Sequence, residues 1–110
     1  MKLILAIVSN EDSSKVSASL TKARFSVTKL ATTGGFLMAG NTTFLIGVQD
    51  EKVDEVIKII GDHSKKRTQM VPSSSSSASY GVGMYSSYPI EVTVGGATIF
   101  VMDVERFEKL

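Results

Sequence analysis

Apolar and polar positions divide this chain into short blocks of differing period. Residues 2–8, Lys2-Leu3-Ile4-Leu5-Ala6-Ile7-Val8, form a nearly unbroken apolar run of strand length. Such a run predicts a central strand covered on at least one face. Ser9 to Ser14 is polar, and Asp12, Ser13 or Ser14 can cap a helix in which Val16, Leu20 and Ala23 recur at helical spacing. Phe25 to Thr32 predicts a second strand, with Phe25 and Val27 on one face and Ser26, Thr28 and Leu30 on the other. A glycine-rich connection at about 33–41 leads to a third strand, Thr42 to Val48. Asp50 is a suitable cap for a second helix with an apolar stripe of Val53, Val56, Ile57 and Ile60, ending at Gly61 or Asp62. The order strand, helix, strand, strand, helix supplies five of the six elements of a ferredoxin-like βαββαβ unit.

The sixth element is delayed. A basic run, Lys65-Lys66-Arg67, precedes a low-complexity stretch from Pro72 to Ser87 that includes five consecutive serines, Ser73 to Ser77. A segment of that composition buries too little apolar area to offset its ordering entropy, so a long flexible loop is expected over about 65–88. From Pro89 the alternation returns: Ile90, Val92 and Val94 interleave with Glu91 and Thr93. Gly95-Gly96 then predicts a two-residue hairpin turn, with Ala97 to Val104 as the returning strand. The expectation is one α+β domain over residues 1–110, βαββαβ with an extra β-hairpin strand and a long loop before the last strands.

Composition narrows the function more than the fold. The chain has 110 residues, 43% apolar and 21% charged, with a formal net charge of +1. Such a balance offers no bulk electrostatic grip on nucleic acid or on an acidic membrane. The absence of cysteine removes disulfides, thiol nucleophiles and cysteine metal sites, and is compatible with a reducing cytoplasm. The first eight residues are too short an apolar run for a signal peptide, and no stretch approaches the roughly 18 apolar residues of a membrane helix.

Chemistry concentrates in the glycine loop. Gly34, Gly35 and Gly40 allow the backbone to approach a ligand, and inward amides can hold an anion. Phe36, Leu37 and Met38 stand at the tip of the connection, where apolar residues imply a cover, either a ligand or a neighbouring subunit. The spacing Gly35-x-x-x-x-Gly40-Asn41-Thr42 mimics a P-loop, but asparagine replaces the lysine and a strand follows instead of a helix, so a P-loop is excluded. A plain glycine hairpin fits the same residues. Asn41 suits an adenine edge or a ribose as well as a turn. Thr28 and Ser26 can hydrogen-bond a phosphate oxygen, and Arg24 and Lys29 are the nearest cations, each equally readable as a solvated surface group. His63, the only histidine, has neither the cysteines of a zinc site nor a Ser-His-Asp spacing around it. Tyr80, Tyr85 and Tyr88 can stack on a base or fasten their own loop. Nothing here assembles an enzyme.

Three runs resemble a known family. Lys29-Leu30-Ala31-Thr32-Thr33-Gly34-Gly35-Phe36-Leu37 with Gly40-Asn41-Thr42-Thr43-Phe44 is similar to the signature of the PII-like cyclic di-AMP receptors, the PstA/DarA family. Met1 to Val8 is similar to that family too, as is Tyr88-Pro89-Ile90-Glu91-Val92 followed by Val94-Gly95-Gly96-Ala97-Thr98-Ile99-Phe100-Val101. The likeness spans the chain except roughly Pro72 to Ser87. The resemblance implies a single PII-like domain, a cytoplasmic homotrimer and a non-catalytic signalling role. The bacterial second messenger cyclic di-AMP would sit in the clefts between subunits, without a cofactor or metal, and a downstream protein would receive the signal. It assigns ligand contacts to Thr28, Gly35, Phe36, Leu37, Asn41 and Gly47. The family commonly has asparagine where Arg24 stands and arginine where Ser26 stands. Ser26 cannot supply that charge. Arg24, two positions away, would share a strand face with it and replace the phosphate contact. The alternative is a divergent PII-like trimer that binds another nucleotide or acts only as a protein-interaction module.

Overall fold

Each strand of the central sheet turns one row of side chains toward two helices and the opposite row away from them. The computed structural model describes residues 1–33, 40–72 and 89–110. The tip of the glycine connection, residues 34–39, and most of the expected serine-rich loop, residues 73–88, lie outside the described residues.

Strand β1 (Lys2–Ser9) buries Ile4, Ala6 and Val8, while Leu3, Leu5 and Ile7 face the other way and are half-buried. Helix α1 (Asn10–Lys22) follows without a loop, because Ser9 closes the strand and caps the helix, its side chain accepting the Glu11 amide at 3.2 Å. The helix therefore starts earlier than Asp12, Ser13 or Ser14 would allow. Those residues fall inside it, and Glu11 and Asp12 place negative charge in the first turn, where the helix dipole favours it. Val16 and Leu20 are buried as their spacing predicts.

At its far end α1 closes in a Schellman motif. The Arg24 amide donates to the Thr21 carbonyl at 2.9 Å and the Phe25 amide to the Leu20 carbonyl at 3.0 Å. Arg24 thereby takes the left-handed position, with φ 71, that glycine or asparagine ordinarily fills. It belongs to a helix-ending turn, and strand β2 (Val27–Thr33) begins only at Val27. Strand β3 (Asn41–Val48) runs antiparallel to β2, with an irregularity between Lys29 and Ala31, and buries Thr42, Phe44, Ile46 and Val48.

Helix α2 (Val53–His63) is preceded by a single 3-10 turn, Asp50–Lys52. Asp50 is not its cap. Its carboxylate instead meets the Met1 ammonium at 2.9 Å, which holds the carboxyl below its ordinary pKa chiefly through that hydrogen bond. The helix outlasts Gly61 and Asp62 and stops at Ser64, a buried residue whose hydroxyl donates to the Ile60 carbonyl.

Two further strands, β4 (Arg67–Pro72) and β5 (Pro89–Val94), pair antiparallel as a separate ribbon, from Arg67 opposite Val94 to Pro72 opposite Pro89. The chain then passes through Gly95-Gly96 into β6 (Ala97–Asp103), which joins the central sheet beside β1. The expectation of a β5–β6 hairpin is thus corrected. Both glycines have φ 84, but they carry the chain from one sheet to another and do not fold it back on itself. Close approach adds a second reason for glycine, since a Cβ on Gly95 would stand 2.4 Å from the Lys65 carbonyl oxygen.

The central sheet has the order β2-β3-β1-β6, all neighbours antiparallel, with both helices on one face. That is an α+β arrangement of ferredoxin-like topology, with the β4–β5 ribbon inserted between α2 and the last strand. Among the described residues, ten, including Ile4, Leu20, Phe44, Ile46 and Ile60, form the core between sheet and helices.

Two substitutions test this account. Gly95→Ala should lower stability by about 1–3 kcal/mol in denaturant unfolding, through backbone strain and the clash with Lys65. Arg24→Asn should raise the melting temperature by relieving a left-handed conformation that costs most side chains about 1 kcal/mol. An unchanged or lowered midpoint would contradict the strain at this turn.

Candidate functional site

The sheet face turned away from the helices is predominantly apolar. Register aligns its side chains in rows: Leu45, Leu5 and Phe100 across the middle, and Gly47, Leu3 and Met102 beside them. Phe100 is 53% exposed and Met102 41%. Large apolar side chains exposed in adjacent rows are costly for an isolated protomer, because water orders around them without compensation.

Polar positions lie along the β2–β3 side of this face. Thr28 stands opposite Leu45, Asn41 begins β3 opposite Thr33, and Gly47 lies near the other end of β3. All three are exposed, and they share the open face because they alternate with the buried Thr42, Phe44 and Ile46. Gly47 leaves the backbone bare there; a Cβ would come within 3.3 Å of the Met1 methyl. Ser26 is exposed and precedes β2. Arg24 is exposed as well, but the expectation that it and Ser26 share a strand face fails, because Arg24 sits in the left-handed turn that ends α1. Gly35, Phe36 and Leu37 lie outside the described residues.

Behind Asn41 the base of the glycine connection is fastened to α1. The Asn10 amide donates to the Gly40 carbonyl at 3.0 Å, and the fully buried Thr42 hydroxyl donates to the Asn10 side-chain oxygen at 2.6 Å. Neither Asn10 nor Thr42 stands out in the sequence. Only the polar break Ser9-Asn10-Glu11-Asp12 after an apolar strand signals that a helix start is near.

Asp12 and Glu11, in the same turn, hold the ribbon. The Arg67 guanidinium grips Asp12 with two hydrogen bonds, at 2.9 Å and 3.2 Å, and reaches Glu11 at 3.2 Å. Gln69 also donates to Glu11, at 3.2 Å. Asp12 is buried, so this charge-assisted fork satisfies a carboxylate that would otherwise be poorly solvated. Its hydrogen bonds push the Arg67 pKa above the ordinary value, against the effect of burial.

Two shallow hollows of about 310 and 300 Å3 lie on the helix side of the sheet. One is lined by Ser13, Ser14, Ser17, Ala18, Lys29 and Phe44, the other by charged residues around Asp12, Asp62 and Arg67. Of the expected ligand residues that are described, namely Arg24, Ser26, Thr28, Asn41 and Gly47, none lines either. His63 Nε2 lies 2.9 Å from the Ser19 hydroxyl, a tether between the helices, and among the described residues no carboxylate bonds its other nitrogen. Among the described residues, no cluster of three or more His, Asp or Glu could hold a metal, and no helix is long and apolar enough to cross a membrane.

The geometry is therefore that of an open apolar platform with polar contacts along one edge. The family described as Cyclic-di-AMP receptor matches residues 1–110, the whole chain. A solved structure, a functionally unknown protein from Pediococcus pentosaceus ATCC 25745, is 40% identical over 99% of this chain and 96% of its own, with a TM-score of 0.74. From its first strand to its C-terminal tail, this chain belongs to the cyclic-di-AMP receptor family.

Proposed function

We propose that the protein is a receptor for cyclic di-AMP, a homotrimer that binds one ligand per cleft between subunits and passes the signal to a downstream protein without chemical turnover. The observation that carries this reading is the open apolar face edged by Thr28, Asn41 and Gly47. A ligand with two bases and two phosphates needs apolar area and hydrogen-bond donors together, and a platform open on one side gives it no enclosure until another subunit supplies the wall. The same face supplies the apolar area on which three protomers would associate. Thr28 and Asn41 would bond phosphate and base edges, and the bare backbone at Gly47 would admit the ligand close to the strand.

Family membership favours the ligand, whereas Ser26 argues for weakened affinity. The charged hydrogen bond that an arginine would make there is worth about 1.5–3 kcal/mol, or roughly ten- to hundredfold in affinity. Arg24 would replace it only by reaching from the end of α1. That uncharged Ser26 also favours a second reading, a trimer that takes another nucleotide or none and serves as a protein-interaction module.

Calorimetric titration with cyclic di-AMP, with ATP and cyclic di-GMP as controls, separates these readings. Saturation near one ligand per protomer with silent controls supports the receptor. Silence with all three, from a folded trimer, leaves the interaction module. Thr28→Val should weaken binding about tenfold, and Arg24→Ala should do the same if its charge meets phosphate; an unchanged Arg24→Ala affinity dismisses that contact. Phe100→Glu should convert the trimer to smaller species in sedimentation velocity, and an intact trimer would show that the apolar face is not the interface.

A further inference from the structure

The β4–β5 ribbon raises a question that ligand recognition leaves unanswered, namely what positions it. Among the described residues it shares strand pairing with no other part of the molecule. A two-stranded ribbon alone is marginally stable in water. Its stem is fixed by the Gly95 approach to Lys65 and by the bonds of Arg67 and Gln69 to the first turn of α1. That same turn fixes the entry to β3. Asn10 holds Gly40 and Thr42 on either side of Asn41, while Glu11 and Asp12, the next two residues, hold the ribbon. Asn10 is itself braced, its carbonyl accepting the Ser13 hydroxyl at 2.9 Å.

We infer that the first turn of α1 is a mechanical junction through which the Gly40–Thr42 edge and the β4–β5 ribbon sense each other, with Asn10, Glu11 and Asp12 as its positioning residues. Three consecutive residues of one helical turn cannot move independently, because their backbone is locked by the helix that follows. A shift of Asn41 or its neighbours is transmitted to Asn10 through two hydrogen bonds, and a shift of Asn10 moves the carboxylates that orient Arg67. Asp12 makes the junction strict. It is buried, and Arg67 is its only ion-pair partner among the described residues, so loss of the guanidinium leaves a poorly solvated carboxylate and the ribbon has a strongly preferred seat. Coupling of this kind is reciprocal. Whatever seats or displaces the ribbon changes the energetics of the β3 entry by the same factor as the reverse.

The function assigned to this junction, regulation of the ligand edge by the ribbon, rests on the receptor reading; the junction itself does not. Its test therefore begins without ligand. Amide hydrogen exchange is measured on the full chain and on Arg67→Lys and Glu11→Gln variants, neither residue being in the proposed ligand site. Glu11→Gln keeps the fold testable, because that side chain is 56% exposed. Exchange at residues 40–42 should rise about five- to tenfold in both variants, the range of modest coupling, while β1 and β6 keep their protection. In the converse experiment, Asn10→Ala should raise exchange at residues 67–69. A purely local structural role would raise exchange only beside the substituted residue. Unchanged protection at 40–42 in both ribbon variants overturns the junction. In the second stage, titration with cyclic di-AMP, at a temperature where the variant is still fully folded by circular dichroism, should show a several-fold change of Kd in Arg67→Lys. If the unsubstituted protein is itself silent to cyclic di-AMP while the exchange pattern holds, the receptor reading falls and the junction stands. If the unsubstituted protein binds and Arg67→Lys binds identically, regulation of the ligand edge by the ribbon is overturned.

Discussion

A four-stranded sheet has two faces, and among the described residues this chain supplies helices for only one of them. Ile4, Ala6 and Val8 share β1 with Leu3, Leu5 and Ile7, so the central strand is apolar on both sides. On one side α1 and α2 complete a core; on the other Phe100 and Met102 remain substantially exposed. Everything proposed about assembly and ligand follows from that asymmetry. A protomer built in this way gains by covering its second face, and polar positions placed along the edge of that face become the rim of whatever space the covering encloses.

The core elements were legible because their signals are local. An unbroken apolar run, helical spacing at Val16 and Leu20, and the stripe in α2 each specify burial without reference to the rest of the chain. Boundaries were less legible where competing groups could serve. Ser9 took the cap from three later candidates because it stands at the end of β1, already facing the Glu11 amide. Arg24 reads as a strand residue in sequence, since neither its type nor its neighbours announce a left-handed turn; the Schellman bonds that put it there come from Leu20 and Thr21. Strand β4 was hidden because Arg67-Thr68-Gln69-Met70 shows weak alternation and adjoins serines, and its stability comes from pairing with β5 and from Asp12, which is 55 residues away. The reading of Gly95-Gly96 as a hairpin turn failed for a related reason. Positive φ at two glycines describes a sharp bend, not the partner of the strand that follows.

For the candidate site, the sequence supplied residues and the structure supplied placement. Thr28, Asn41 and Gly47 fall on one face because β2 and β3 pair in a register that their alternation alone does not fix. Asn10 and Thr42 lie in a polar break and in the glycine-loop run, but nothing in the sequence announces that they bond each other at the base of the loop, since a buried threonine within an apolar strand looks like any β-branched residue. The buried Asp12 was similarly disguised as a helix cap.

The pairing of β6 with β1 has a consequence for how the protein is made. Lys2 and Asp103, which meet at one end of this pair, are separated by 101 residues. During synthesis β1 emerges first, yet one of its edges stays without a strand partner until nearly the whole chain has followed. Contacts of such long range close late and slow folding, and an apolar strand with an open edge is a template for pairing with other chains. A nascent chain of this protein therefore passes through an interval in which its most apolar strand has one edge open, an aggregation hazard that follows from its topology.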